Sequence, residues 1–323
     1  MRDRYARQTI LPEIGAEGQA KIAASSLLVV GAGGLGCPVL SYLAGAGVGR
    51  IVIVDHDRVD ETNLHRQPLY RMKDVGRLKA EAARERLHAL NPNVDVTSIA
   101  ERLSPDSVDA LIAQADLTLD CADSFAVSYI LSDACVAVRK PLVSASIVGM
   151  SGYVGAFCAG APSYRAVFPE MPSQLANCAT AGVMGPAVGA LGALQAQMAL
   201  HLILGIEPSP LGRMTTFDAR RLSFGGFSFA GAPEPMGHIA RFLSAKTIAE
   251  NDVVVDLRGL EEAPVAASPH ARRLSVDQVD ELIGDVSPQA HVVLCCRTGL
   301  RASRAASRLA KNGFSNLSLV AFG

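Results

Sequence analysis

The chain has 323 residues, enough for two domains with buried cores, and only 19% of them are charged. That apolar, Gly-rich balance excludes a disordered chain or a coiled coil, and a net charge of −1 supplies no basic field for nucleic acid. The polar start Met1-Arg-Asp-Arg-Tyr5 lacks an apolar signal core, and seven scattered cysteines without a Cys-x-x-Cys pair indicate neither a disulfide framework nor zinc, so a cytoplasmic protein is expected.

Residues 26–30 read as a short apolar strand that runs into Gly31-Ala-Gly-Gly-Leu-Gly36. Residues 37–47 then read as a helix of small and apolar residues, and 50–54 as a second strand ending at Asp55. A helical pattern over 76–90 stops at Asn91-Pro92, strands follow at 94–99 and 117–119, and a helix over 125–139 precedes a strand at 141–147. Such alternation predicts an α/β fold, Rossmann-like, with a mostly parallel sheet. Beyond Gly149 come a strand at 153–158, an irregular stretch at 168–182 and a long helix at about 184–205. The uncharged window 183–206 contains Pro186, Gln195, Gln197 and His201, which favours a buried helix over a membrane span. Strands at 213–217 and 221–224 flank Asp218-Ala219 as a hairpin, and residues 225–237 are the linker candidate. A second, smaller α/β pattern follows: strands at 252–257, 291–295 and 317–320, with helices at 276–283 and 301–311.

The first chemical signal is the glycine turn. A strand running through Gly31, Gly33, Gly34 and Gly36 into a helix lets the backbone approach a phosphate, with helix N–H groups facing the charge. Asp55 is placed to bind a ribose hydroxyl, and this much fits NAD, FAD or ATP alike. Asn63, Arg66, Gln67 and Lys79 follow closely. Two cations and two amides suit a triphosphate undergoing cleavage, although spacing alone fits solvated surface charges equally well. Asp120 and Asp123 follow the 117–119 strand, over the ligand crevice of a parallel sheet. Asp123 is suited to hold Mg²⁺ against phosphates or to cap the helix that Ser124 opens, and both roles can coexist.

Several motifs occur in order: Arg4-Tyr-Ala-Arg-Gln-Thr-Ile-Leu-Pro-Glu-Ile-Gly15, Gly31-Ala-Gly-Gly-Leu-Gly-Cys-Pro38, Asn63-Leu-His-Arg-Gln67, Gly76-Arg-Leu-Lys79 and Asp120-Cys-Ala-Asp-Ser-Phe125. With Tyr164-Arg-Ala-Val-Phe-Pro-Glu170 and Ala181-Gly-Val-Met-Gly-Pro186, they resemble the MoeB/ThiF activating enzymes, a superfamily that includes HesA-like and ubiquitin-activating enzymes. The resemblance implies adenylation, with ATP and Mg²⁺, of the C-terminal glycine carboxylate of a ubiquitin-like sulfur-carrier protein ending in Gly-Gly. Carried over by motif, Asp55 binds ribose, Arg66 and Lys79 bind phosphates, Asn63 supports the phosphate side, and Asp57 and Gln67 count among the nucleotide-binding residues. Asp123 holds Mg²⁺, and Arg7 reaches the phosphates of the other subunit of a homodimer. Cys178 resembles a crossover-loop cysteine that in some members links covalently to the carrier, and a spare cysteine is the other reading. The family's two zinc-binding Cys-x-x-Cys pairs are missing: Ser163 and Ala166 stand at the first, and residues 230–237 carry no cysteine, so no zinc site is expected.

His291-Val-Val-Leu-Cys-Cys-Arg-Thr-Gly-Leu-Arg-Ala-Ser303 resembles a rhodanese active-site loop, in which Cys296 would carry a persulfide. A strand ending there and a helix starting near Arg301 favour an anionic sulfur, with Arg297 and Arg301 adding positive charge. Strand alternation points Cys295 back into the sheet. Val253-Val-Val-Asp-Leu-Arg258 and Lys311-Asn-Gly-Phe314 extend the resemblance, whereas Ser268-Pro-His-Ala-Arg272 departs from it. The expected organisation is an activating domain over 1–228, a linker over 229–238 and a small α/β rhodanese-like domain over 239–323. A sulfur donor, either a cysteine desulfurase or thiosulfate, is implied, and neither nucleic acid nor a membrane is an expected partner. The rivals are an activating enzyme for a peptide or small-molecule carboxylate, a nucleotide-dependent oxidoreductase, and a scaffold that holds a carrier without activating it.

Overall fold

The computed structural model describes residues 4–172, 182–237 and 239–323. Its helices are α1 (Ala6–Thr9), α2 (Gly15–Ala24), α3 (Gly36–Ala46), α4 (Lys79–Leu90), α5 (Val108–Ala113), α6 (Phe125–Val138), α7 (Tyr164–Val167), α8 (Gly185–Leu204) and α9 (Leu300–Lys311). Strands β1 (Ser26–Val30), β2 (Arg50–Val54), β3 (Asp95–Ile99), β4 (Leu117–Asp120) and β5 (Pro141–Val148) lie parallel in the order β3-β2-β1-β4-β5. Antiparallel β6 (Ser151–Cys158), β7 (Arg213–Asp218) and β8 (Ser223–Ser228) extend this sheet beyond β5. The α/β, Rossmann-like class is as expected.

β1 and β2 are nearly continuous apolar runs and β4 is buried throughout, because both faces of the sheet are covered. α3 ends at Gly47 and α8 at Gly205, both left-handed, the conformation that closes a helix most easily at glycine. α8 packs across α3, β5 and β6. A Cβ on its Gly192 would stand 2.4 Å from Pro38 Cγ and 2.6 Å from the Leu35 carbonyl, so the small residue permits the close crossing. Its buried Gln195 donates to the carbonyls of Asp120 (2.8 Å) and Val143 (3.0 Å), which satisfies an amide inside the core.

The hairpin differs from the sequence pattern. The Asp218 carboxylate accepts from the N–H groups of Arg220 and Arg221, and Leu222 is left-handed, so the turn runs longer. The second strand therefore takes in residues 225–228, which the glycine content assigns to a linker.

The second sheet is parallel, in the order β11-β10-β12-β13-β9: β9 (Arg241–Phe242), β10 (Val253–Asp256), β11 (Arg272–Arg273), β12 (Val292–Cys296) and β13 (Leu317–Ala321). The two-residue β9 and β11 are too short to leave a periodic signal. Residues 276–282 form a 3₁₀ rather than an α-helix. Its three-residue repeat stacks Asp277 and Asp280 on one side, where both bond Arg308.

The two sheets are not merely tethered. Leu103, Ala126 and Ile130 from the first unit share one apolar core with Phe242, Leu300 and Cys296 from the second. Ser244 Oγ also donates to Asp106 Oδ2 across the junction at 2.6 Å.

Candidate active site

The strand order reverses between β1 and β4, and the carboxyl ends of the strands there open a crevice. A cavity of about 310 Å³ occupies it, lined by the glycine turn, Asp55, Asp57, Asn63, Arg66, Gln67, Lys79 and Asp123. Two glycines of the turn are sterically required. Gly31 has φ +97°, and a Cβ on it would stand 2.6 Å from the Cys121 carbonyl oxygen. A Cβ on Gly36 would stand 2.0 Å from the Gly31 carbonyl oxygen. The first contact is with the chain leaving the neighbouring strand β4, and the second comes from the turn folding back on itself, so neither position has room for a side chain.

Asp55 caps that turn from β2: Oδ2 accepts the Ala32 N–H at 2.7 Å and Oδ1 the Asp57 N–H at 2.8 Å. Burial pushes its carboxyl upward, against the pull of Lys79 and those two donors. Lys79 is itself buried and donates to Asp57 Oδ2 at 2.8 Å, so it is not a solvated surface charge. Burial raises the Asp57 carboxyl, but the Lys79 hydrogen bond and the charges of Lys79, His56 and Arg102 outweigh it and hold the group below its usual range. Arg66 Nη2 donates to Asn63 Oδ1, which aims the guanidinium along the crevice wall. Gln67 is 3% exposed and its Oε1 has no partner among the described residues, an acceptor left open on the lining of the cavity.

Asp120 and Asp123 diverge. Asp120 is fully buried and accepts from Ser128 Oγ (2.6 Å), Ser144 Oγ (2.8 Å) and the Ala122 N–H (3.2 Å). Burial pushes its carboxyl up to about 6 despite those donors. It therefore pins the loop that carries Asp123 rather than touching a ligand. Asp123 is exposed in the crevice, and Ser124 rather than Asp123 is the N-cap of α6, without a side-chain cap bond. A carboxylate with hard oxygen donors and no partner among the described residues, beside the glycine turn, fits Mg²⁺, which keeps few protein ligands and takes phosphate oxygens.

Cys295 and Cys296 end β12 on opposite faces, packed into different apolar clusters, as strand alternation predicts. Burial raises the Cys295 thiol to about 12. Cys296 Sγ accepts from the N–H groups of Gly299 (3.1 Å) and Ala302 (3.4 Å), which form a cradle at the start of α9. It is fully enclosed, and Phe242 closes over the loop: a Cβ on Gly299 would stand 2.8 Å from that ring. Arg301 does not offer the free charge that its position in the loop implies. It donates to the Leu257 carbonyl at 2.8 Å and pairs with Glu262 at 2.5 Å, and that hydrogen bond holds the Glu262 carboxyl low. Arg258 is bound in the same way, bidentate to the buried Asp256.

Arg7 lies exposed on α1, away from the crevice lining, and Cys178 lies outside the described residues. Where the family's first zinc pair would stand, Glu234 accepts from the Ser163 N–H (2.7 Å) and Ser163 Oγ (2.5 Å). Sequence reasoning missed Arg102, which bonds His56 Nε2 at 2.6 Å on the crevice rim. Its place just beyond β3, at the carboxyl edge of the sheet, was the available signal.

A profile of the ThiF family matches residues 5–235. The chain belongs to the ThiF family. It is 43% identical over 231 residues to "Adenylyltransferase and sulfurtransferase MOCS3" of Culex quinquefasciatus, covering 71% of this chain and 53% of that protein. It is 44% identical over 230 residues to the "Sulfur carrier protein adenylyltransferase" of Thermus thermophilus, covering 69% and 85%. Similarity to "Adenylyltransferase and sulfurtransferase uba4" of Pyricularia oryzae runs further, 37% identical over 316 residues and covering 87% and 63%. The chain spans about half the length of the animal relatives it matches. Among solved structures, the Escherichia coli protein MccB shares the fold at a TM-score of 0.64 and 22% identity, covering 71% of this chain and 70% of that one.

Proposed function

We propose that this ThiF-family chain is an ATP-dependent adenylyltransferase acting on the C-terminal glycine carboxylate of a ubiquitin-like sulfur carrier. Residues 239–323 then act as a rhodanese-like sulfurtransferase domain, behind an activating domain over 1–228 and a linker over 229–238. The observation that carries the reading is the pairing of two built sites in one chain: the crevice that gathers Arg66, Lys79 and Asp123 beside the glycine turn, and the two-donor cradle on Cys296.

In this reading the carrier carboxylate oxygen bonds to the α-phosphorus of ATP while the bond to the pyrophosphate oxygen breaks. The N–H groups of the glycine turn hold phosphate oxygens. Arg66 and Lys79 meet the charge that gathers on the leaving pyrophosphate. Asp57 keeps Lys79 aimed into the crevice. Asp55 and the open Gln67 Oε1 accept from ribose hydroxyls or amide hydrogens at the nucleoside end. Asp123 would hold Mg²⁺, which neutralises phosphate charge when bound.

Sulfur transfer follows on Cys296. The outer sulfur of its persulfide, loaded by a cysteine desulfurase or thiosulfate, bonds to the acyl carbon as AMP leaves with the electron pair of the broken C–O bond. A thiol then bonds to the Cys296 sulfur, and the carrier leaves as a thiocarboxylate. A second thiol frees Cys296, completing a two-electron reduction. The N–H groups of Gly299 and Ala302 favour the anionic sulfur at the start and end of this cycle. Arg301 acts as a positioning residue, tying the loop to Glu262 and the Leu257 carbonyl.

Cys178 remains a candidate for a covalent carrier link, and Arg7 for a contact across a homodimer. No zinc is needed, because the Glu234–Ser163 clip holds the segment that zinc would otherwise anchor. A cytoplasmic site suits the reducing conditions a persulfide relay requires.

The test is intact-mass analysis of Gly-Gly-ending carriers incubated with MgATP and a sulfur donor. Wild type is expected to yield a carrier heavier by the sulfur-for-oxygen difference, and Cys296→Ala none. Conversion that survives Cys296→Ala would remove the second domain from the reaction.

A further inference from the structure

A second cavity, of about 710 Å³, lies between the two domains. Arg102, Leu103, Asp123, Ser124, Phe125 and Val127 line both this cavity and the nucleotide crevice, so the two spaces adjoin along a shared wall. The far wall is the rim of the sulfur loop: Arg297, Thr298, Leu300 and Arg301. The cavity thus has the candidate Mg²⁺ ligand at one end and the residues just after Cys296 at the other, all from one chain.

We propose that this interdomain cavity is the passage along which the activated glycine tail of the carrier moves from the nucleotide to Cys296 of the same chain. The proposal rests on the functional reading above and adds to it the route and its confinement to one chain. Three features support it. The volume is in the range of sites that hold an extended small ligand. The common apolar core and the Ser244–Asp106 bond hold the sulfur loop against the start of α6 of the same chain. The guanidinium groups of Arg297 and Arg304 have no hydrogen-bond partner among the described residues, whereas Arg301 is paired with Glu262. Two unpaired cations on the cavity wall suit the anionic groups of the step: the persulfide that attacks and the AMP that leaves.

Chemistry at the end of the passage conserves atoms as written above: the outer persulfide sulfur bonds to the acyl carbon, and the C–O bond to AMP breaks. Phe242 packs against the loop at Gly299 and lines the cavity at that end.

The experiment pairs two chains that carry different tags, one with Asp123→Ala and one with Cys296→Ser, and purifies the mixed species through both tags. Each variant enters only if its thermal unfolding matches wild type, and Lys79→Ala replaces Asp123→Ala if it does not. The probe is a Gly-Gly carrier that wild type converts to thiocarboxylate. Transfer within one chain leaves the mixed species, and any simple mixture of the two proteins, at the background of each variant alone. Recovery to about half the wild-type rate would overturn the passage while leaving the two-domain reaction standing, because one complete site per pair would then form across chains. Wild type that adenylates every carrier tried without making thiocarboxylate would overturn the functional reading, and the passage with it.

Discussion

Asp120 offers a perturbation whose sign and size follow from its surroundings. Its carboxylate is enclosed and raised to about 6 from an ordinary 3.8. A folded-state value above the unfolded one means that the native state binds the proton more tightly. The stability from this proton is therefore fully present below about pH 3.8 and is lost as pH rises through about 6. A rise of that size corresponds to at most about 3 kcal/mol, of which about 2 kcal/mol falls between pH 4.5 and 7.5. Asp120→Asn removes the ionisation and keeps the shape. Its oxygen can still accept the Ala122 N–H, and its amide can donate to the Ser128 and Ser144 hydroxyls, which rotate to accept. Urea unfolding of wild type and variant at about pH 4.5 and 7.5 should show the variant gaining on wild type by up to about 2 kcal/mol at the higher pH. An unchanged difference at the two values would mean that Asp120 keeps one protonation state throughout, and would refute the reasoning.

Three further outcomes are expected. Gly36→Ala drives a Cβ to 2.0 Å from the Gly31 oxygen and should abolish ATP binding by calorimetry, whereas Gly33→Ala, whose nearest neighbour in space is Gln67 Nε2 at 3.5 Å, should fold with an unchanged circular-dichroism spectrum. Lys79→Met should lower the rate of ATP–pyrophosphate exchange by at least about 100-fold, since it removes charge at the leaving group; a loss confined to KM would instead make Lys79 a ground-state binder. Glu234→Ala should cost about 1 kcal/mol in thermal or urea unfolding by releasing two hydrogen bonds to Ser163, and elemental analysis should find no stoichiometric zinc in either protein.

The elements nearest the chemistry were legible because their signals are local. A strand, a glycine turn and a helix are set by neighbouring residues, so residues 26–54 could be read directly, with Gly31 and Gly36 at the positions where a side chain cannot fit. The alternation of Cys295 and Cys296 is equally local. The hairpin was harder, because Asp218 lengthens its own turn by side-chain bonds that no hydrophobic pattern records.

By itself the sequence determined the α/β class, the glycine turn, the order of the motifs and most of the charged residues that gather in the crevice, Arg102 excepted. Only the tertiary structure decided which of those groups are free. Lys79 is held by Asp57, Arg301 by Glu262, and Asp120 by two serines, while Asp123 stands open. It also decided that Cys296 is enclosed, with Phe242 against Gly299 of its loop, and that the sulfur loop faces the nucleotide crevice across one cavity. Those facts come from contacts between residues distant in the chain, such as Ser244 with Asp106, 138 positions apart. Pairings of that kind follow from how sheets and helices pack, and local propensity and spacing carry no record of them.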